Sequence, residues 1–151
     1  LLVAGSGPER GRLEEQAVTA GLDVRFLEWA DHDLLLALAQ QARAFILPSV
    51  WDEPLSRLLL ESMGLGTPVI AWASGGSLEV IDDGKNGWLV SEASDLQRAL
   101  STLASDEEAE RIGEAGRQHA RERFAPDIVY PQVAAAYLAA MESAGRGSGN
   151  V

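Results

Sequence analysis

The chain has 151 residues, 46% apolar and 23% charged, a balance typical of one globular domain with room for a sizeable core. Its net charge of −11, with no Lys/Arg cluster, argues against nucleic-acid binding by counterion release, so an anionic ligand would need local devices such as helix N-terminal amides. Cysteine is absent, which removes disulfides, thiolate zinc sites and thiol catalysis. No apolar run reaches the roughly 20 residues of a membrane span, which fits a cytoplasmic protein.

Leu1–Ala4 (LLVA) reads as a strand. A domain rarely opens inside its own sheet, so the chain is expected to be a piece of a longer protein, lacking its first strand. The loop GSGPERG then leads into a helix over Glu9–Ala20. Gly5, Gly7 and Gly11 approximate the dinucleotide-binding G-x-G-x-x-G, with Glu28 placed where a ribose-binding acid would stand. The third glycine comes one residue late, however. Pro8 also removes an amide hydrogen from the loop that should donate to phosphate, so a tight strand-to-helix turn competes with the dinucleotide reading.

Val24–Leu27 is the second strand, followed by a helix over Asp33–Gln41, a strand at Ala44–Leu47, a helix over Leu55–Leu65 and a strand at Val69–Ala71. A short helical turn at Ser77–Ile81 precedes a last strand, Trp88–Val90, after which three helices follow. Ser94-x-x-Gln97 and Ser105-x-x-Glu108 match the capping box, and Pro126 suits the first turn of a helix reaching Ala144. The domain is thus expected over 1–144, with 145–151 (GRGSGNV) a flexible tail by composition. No polar alternation interrupts the strands, so they are expected to be buried on both faces, as in a parallel sheet. Strict alternation of strand and helix gives an α/β fold, a Rossmann-like doubly wound parallel sheet of five or six strands with helices on both faces. Ligands of such sheets bind at the carboxyl ends of the strands.

One of those ends carries WDEPLSRLLLES, residues 51–62. With Pro54 starting the helix, Leu55, Ser56 and Arg57 are expected to supply first-turn amides without intrahelical acceptors, an anion site that needs no basic side chain. Glu61 would lie about 80° around the helix from Glu53, at roughly 100° per residue, sharing a face with Leu58 and Leu65. A carboxylate in that setting needs donors, which ribose hydroxyls could provide. The structural alternative is an Arg57–Glu61 pair, with Glu53 simply favouring the helix N-terminus. Gly75-Gly76 reads as a tight turn needing free φ. His32 and His119 lack a catalytic constellation and read as surface residues, and Asp82-Asp83-Gly84 with Asn86-Gly87 as turn chemistry.

The motif E-P-L-S-R-L-L-L-E (Glu-x7-Glu) is followed by G-T-P-V-I-A-W-A-S-G-G-S-L-E-V-I-D-D-G-K-N-G-W-L-V. With L-L-V-A-G-S-G-P-E and V-R-F-L-E-W, it resembles the donor-binding C-terminal domain of a GT-B glycosyltransferase of family GT4, from Leu1 to about Tyr137. The resemblance implies retaining transfer from a UDP-, GDP- or ADP-sugar without an obligatory metal or other cofactor. It implies that Glu53 contacts donor-sugar hydroxyls, that Leu55, Ser56 and Arg57 face the diphosphate or sugar, and that Glu61 binds the ribose. Backbone at Arg25 and Phe26 would meet the base, and Gly75-Gly76 would line the cleft between domains.

The chain departs from the pattern at Leu55-Ser56, where Phe-Gly is common, at Arg57, usually apolar, and at Glu28, commonly glycine. The family's diphosphate-binding Arg and Lys and its N-terminal acceptor-binding domain would lie upstream, so the isolated chain is expected to be inactive. Two other readings remain: a non-catalytic nucleotide or dinucleotide module, and a UDP-sugar epimerase of the same fold.

Overall fold

A computed structural model describes residues 1–147, with side chains to Ala144. Its elements are β1 (Leu2–Ala4), α1 (Arg10–Thr19), β2 (Arg25–Leu27), α2 (His32–Gln41), β3 (Phe45–Leu47), α3 (Arg57–Leu65), β4 (Val69–Trp72), α4 (Ser77–Val80), β5 (Trp88–Val90), α5 (Ala93–Thr102), α6 (Asp106–Phe124) and α7 (Pro126–Gly147). The order of strands and helices is the expected α/β alternation followed by three helices. The chain divides into two compact units, Leu1–Leu38 and Ala39–Val151, with α2 running across the division.

In the first unit β1 and β2 pair in parallel, Val3 opposite Phe26, with α1 as the crossover. Backbone bonds from Arg25 N to the Leu1 carbonyl (2.9 Å) and from Gly5 N to the Leu27 carbonyl (3.1 Å) close the ladder at both ends. The expectation of strands buried on both faces fails here: Leu2 and Ala4 are exposed and Val3 only half-buried. Among the described residues β1 and β2 pair only with each other, and one helix cannot cover both faces of a two-stranded ladder.

The second unit meets the expectation. Its parallel sheet has the order β3-β4-β5, with Ile46 opposite Ile70 and Ile70 opposite Trp88. The side-chain period of two sends alternate β4 residues to opposite faces. Val69 and Ala71 join Leu59, Met63, Val80, Ile81 and Ala120 on one face. Ile70 joins Trp88, Val90, Ala99, Leu103 and Ile112 on the other. A sheet that buries both faces this way is doubly wound.

Helix α3 carries the first of these cores. It ends in a Schellman turn: Gly66 adopts φ +82°, Thr67 N donates to the Ser62 carbonyl at 3.0 Å, and Gly66 N donates to that of Met63 at 2.9 Å. A Cβ on Gly113 of α6 would overlap the Gly66 carbonyl oxygen, so the two helices approach at backbone contact. Arg117 Nη2 also donates to the Leu65 carbonyl at 3.1 Å.

Two helix starts differ from expectation. Helix α3 begins at Arg57, not Leu55, because Ser56 is its N-cap: in extended conformation, its hydroxyl accepts from Leu59 N at 3.4 Å. At α5 the cap is Glu92, in a capping box with Asp95, and Ser94 lies inside the helix. Asp95 takes the reach-back role because Oδ2 accepts from Ser91 N (3.0 Å) and Glu92 N (3.3 Å). Ser105 caps α6 as expected, accepting from Glu108 N at 3.5 Å, but only half of the expected capping box forms, because the Glu108 carboxylate accepts from Arg111. The expected tail falls partly on α7, which is described to Gly147; its remaining residues, 148–151, lie outside the described residues.

Candidate functional site

The carboxyl end of β3 opens into a nine-residue loop, 48–56, that carries Glu53 to the start of α3. The loop is held by its backbone. Glu53 N donates to the Trp51 carbonyl at 2.8 Å, and the Glu53 carbonyl accepts from Gly76 N at 2.9 Å. Asp52 Oδ1 accepts from Gly75 N at 3.2 Å, and Ser74 Oγ reaches the Ser49 and Trp51 carbonyls at 2.9 and 3.2 Å. The loop after β4 is thus stitched along the loop after β3. Glu53 is half-buried, while Trp51 is 62% exposed.

This close approach explains the paired glycines. Gly75 has φ +49°, and a Cβ there would overlap the Glu53 carbonyl oxygen; a Cβ on Gly76 would overlap that of Pro54. Gly75-Gly76 is therefore more than a turn needing free φ, because it brings two strand-end loops into backbone contact.

Ser56 is buried, its hydroxyl turned to the helix as a cap, and Leu55 packs against the α3 core. Leu55 thus lies outside the helix, a correction to its expected role as a first-turn amide, whereas the Ser56 amide, at the N-cap, is still without an intrahelical acceptor. Arg57 keeps that role and Leu58 joins it, by position lacking an intrahelical acceptor, while Leu59 N is taken by Ser56. Because Glu53 lies outside the helix, the helical angle expected between Glu53 and Glu61 does not apply.

Glu61 Oε1 stands 3.7 Å from Arg57 Nε, with the Arg57 side chain 78% exposed and that of Glu61 28%. This is the anticipated i,i+4 pair, at a distance and exposure that hold it weakly. Helix α3 also differs in its electrostatics. Among the described helices it has neither an acidic N-cap nor an acid in its first turn, whereas the others have Glu9, Asp33, Glu79, Asp95, Asp106 or Asp127 there. The positive end of its dipole is met by an arginine instead.

Arg25 and Phe26 belong to the first unit, on β2. Arg25 is exposed. Phe26 is half-buried, with the Arg10 guanidinium 5.8 Å from its ring centroid and Arg10 Nη2 3.5 Å from its carbonyl. The glycine loop nearby has the geometry of a turn. Gly11 lies inside α1, and a Cβ there would meet nothing within 4 Å, so it does not make the close helix–strand packing that the third glycine of a dinucleotide fingerprint makes.

His32 opens α2 half-buried. His119, expected at the surface, is also half-buried, with its ring 6.1 Å from that of Phe124. The 82–87 segment is a turn: Asn86 Oδ1 accepts from Asp82 N at 2.8 Å and Asn86 Nδ2 donates to the Val80 carbonyl at 3.2 Å. Among the described residues no group of three His, Asp or Glu could hold a metal ion, and no helix is long and apolar enough to cross a membrane. The residue that sequence reasoning missed is Ser74. The small-residue run after β4 was its only trace, since its partners lie some 25 positions earlier.

The family model described as glycosyl transferases group 1 matches residues 1–119. The chain belongs to that family. Among curated relatives, it is 32% identical to glycogen synthase of Mycobacterium tuberculosis (strain H37Rv), over 93% of this chain and 35% of the relative.

Among solved structures it matches sucrose-phosphate synthase of Thermosynechococcus elongatus with a TM-score of 0.82 and 30% identity, over 95% of this chain and 39% of that one. The Anabaena protein HepE, solved with UDP-glucose, matches with a TM-score of 0.80 and 25% identity, over 91% and 40%. The fold is accordingly that of the C-terminal domain of a GT-B glycosyltransferase. The chain spans about two fifths or less of these relatives' own length.

Proposed function

We propose that this group 1 chain is the donor-binding half of a retaining glycosyltransferase of the GT4 type. In the reaction the bond from the sugar's anomeric carbon to the diphosphate oxygen breaks, and a bond from that carbon to an acceptor hydroxyl oxygen forms on the same face. The hydroxyl proton is passed to the departing nucleoside diphosphate. Negative charge develops on the diphosphate, and stabilising it is the main demand on the protein. The Arg57 and Leu58 amides and the Arg57 guanidinium are suited to that task, and Glu61 to the ribose hydroxyls. Glu53, on its stitched loop, is suited to the hydroxyls of the transferred sugar.

The observation that carries the reading is the run from a backbone-held Glu53 into the acid-free N-terminus of α3, with Glu61 further along the same helix. The base-facing role of Arg25 and Phe26 rests on the resemblance alone. No obligatory metal or other cofactor enters the scheme, which belongs to a cytoplasmic full-length enzyme whose acceptor is bound by an N-terminal domain.

Calorimetric titration of the full-length protein with UDP, GDP, ADP and NAD tests the proposal. One nucleoside diphosphate is expected to bind best, and Glu61→Ala should weaken it about tenfold, the scale of a lost charge-assisted contact. Preferential NAD binding would overturn it in favour of a dinucleotide module. Epimerisation of a UDP-sugar, with no transfer to any acceptor, would assign the same site to an epimerase.

A further inference from the structure

The end of β4 lays three consecutive residues along the loop that carries Glu53, and the first of them acts through its side chain. Ser74 Oγ has one proton, directed at the Ser49 carbonyl (2.9 Å) and shared with that of Trp51 (3.2 Å). The Trp51 carbonyl oxygen also accepts the Glu53 amide at 2.8 Å, so one oxygen joins the Ser74 hydroxyl to the Glu53 backbone. Ser74 is itself fixed to the sheet: its amide donates to the Trp72 carbonyl at 2.8 Å, and the preceding Ala73 amide donates to that of Val90 at 2.9 Å. A continuous path of hydrogen bonds and one peptide bond, that between Ala73 and Ser74, therefore leads from β5 through Trp51 to Glu53.

We propose that Ser74 is a positioning residue for Glu53, its hydroxyl fixing the β3–α3 loop so that the Glu53 carboxylate is presented at a set height above the sheet. Gly75 and Gly76 allow the approach, and Ser74 sets the register through its shared donation. A serine matters here because its hydroxyl is short enough to bond backbone carbonyls in the neighbouring loop while its own backbone stays bonded to β4. The catalytic consequence rests on the function proposed for Glu53; the mechanical link stands on the hydrogen bonds alone.

The test uses the full-length protein with Ser74→Ala and Ser74→Thr, and the readouts are hydrogen exchange at the Glu53 amide and steady-state transfer from the sugar nucleotide it consumes. In Ser74→Ala the Glu53 amide should exchange about fivefold faster, as expected when one neutral hydrogen bond supporting its acceptor is lost. The kcat should fall about tenfold while donor KM and nucleoside diphosphate Kd stay within about twofold, since the change misplaces one group without touching the binding amides. Ser74→Thr, which keeps the hydroxyl, should restore both. If Ser74→Ala does not fold, Ser74→Cys, with its weak donor, takes its place.

Unchanged Glu53 exchange overturns the proposal. So does a loss of affinity in step with kcat, which would mean general loosening, or failure of Ser74→Thr to restore turnover. If Glu53→Gln keeps the parent's kcat, the role proposed for Glu53 falls and the catalytic part of this proposal with it; the exchange result still decides the mechanical link.

Discussion

Helices α3 and α6 of the second unit share a cap and diverge in their first turns. Each has a serine N-cap whose hydroxyl accepts from the third helical amide, Leu59 N at 3.4 Å in α3 and Glu108 N at 3.5 Å in α6. Helix α6 then places Asp106, Glu107 and Glu108 in its first turn, with Glu108 bonded to Arg111 at 2.8 Å. Its dipole is answered by its own carboxylates, and of these Glu108 is paired within the helix and Asp106 with Arg43. Helix α3 has Arg57, Leu58 and Leu59 in the same positions. In a chain with a net charge of −11, acids are plentiful, so the informative position is the one that lacks them. One helix start is answered by its own acids; the other is not, which is the feature that the proposed donor site relies on.

The comparison can be broken or sharpened by substitution. The largest effect is expected from Gly113→Val, which drives a branched side chain into the Gly66 carbonyl where α6 meets α3. Overpacking of this kind should cost about 3 kcal/mol, read from denaturant unfolding. A neutral result would mean that the helices separate easily and that α6 does not support α3.

Next, Arg57→Glu gives α3 the acidic first turn of α6. The Kd for the preferred nucleoside diphosphate should rise about thirtyfold, or about 2 kcal/mol by calorimetry, with little change in stability. Equal affinity would remove the distinction between the two helix starts.

Removing the caps separates the helices by degree. Ser56→Ala, at a buried site, should lose about 1 kcal/mol of stability; Ser105→Ala should lose about 0.5 kcal/mol and leave nucleotide affinity unchanged. Thermal unfolding paired with titration reads both, and a nucleotide effect at Ser105 would contradict the contrast.

The smallest effect concerns acid. The Ser91 amide, followed by the Glu92 amide and Arg98, holds the Asp95 carboxyl below the usual aspartate range. Its contribution to stability is therefore fully present above that range and is lost as pH falls through the lowered value. In Asp95→Asn that part of the acid sensitivity should vanish, making the fall of Tm between neutral pH and about pH 3 shallower than the parent's. An unchanged slope would show that the α5 cap does not contribute.

Much of this was legible in local sequence. The β3-α3-β4 unit follows from two short apolar runs flanking a leucine-rich amphipathic stretch, and the carboxyl-end rule placed Glu53 in the correct loop. Local pattern misled where two local signals competed. Pro54 suits a helix start, but Ser56 offers a cap oxygen at the right spacing and took the role. Ser94 matches a capping box, but Asp95 reaches the Ser91 and Glu92 amides and shifted the cap to Glu92.

Burial of β1 and β2 was misjudged because a short apolar run does not say how many strands lie beside it. The stitch from Ser74, Gly75 and Gly76 to residues 49–53 could not be read at all. It joins positions distant in sequence, and apart from the Ser74 hydroxyl and the Asp52 carboxylate its partners are backbone groups that every residue carries.

Helix α3 is fastened at both ends by unrelated devices, the Ser56 hydroxyl at one and Gly66, Gly113 and Arg117 at the other. Such a helix can neither slide nor unwind easily, so it acts as a ruler. At roughly 1.5 Å per residue, Arg57 and Glu61 are about 6 Å apart along its axis. If the proposed donor is held by Arg57 and Glu61 together, it must match that interval in length as well as in charge, and a ligand that is too short would engage only one of them.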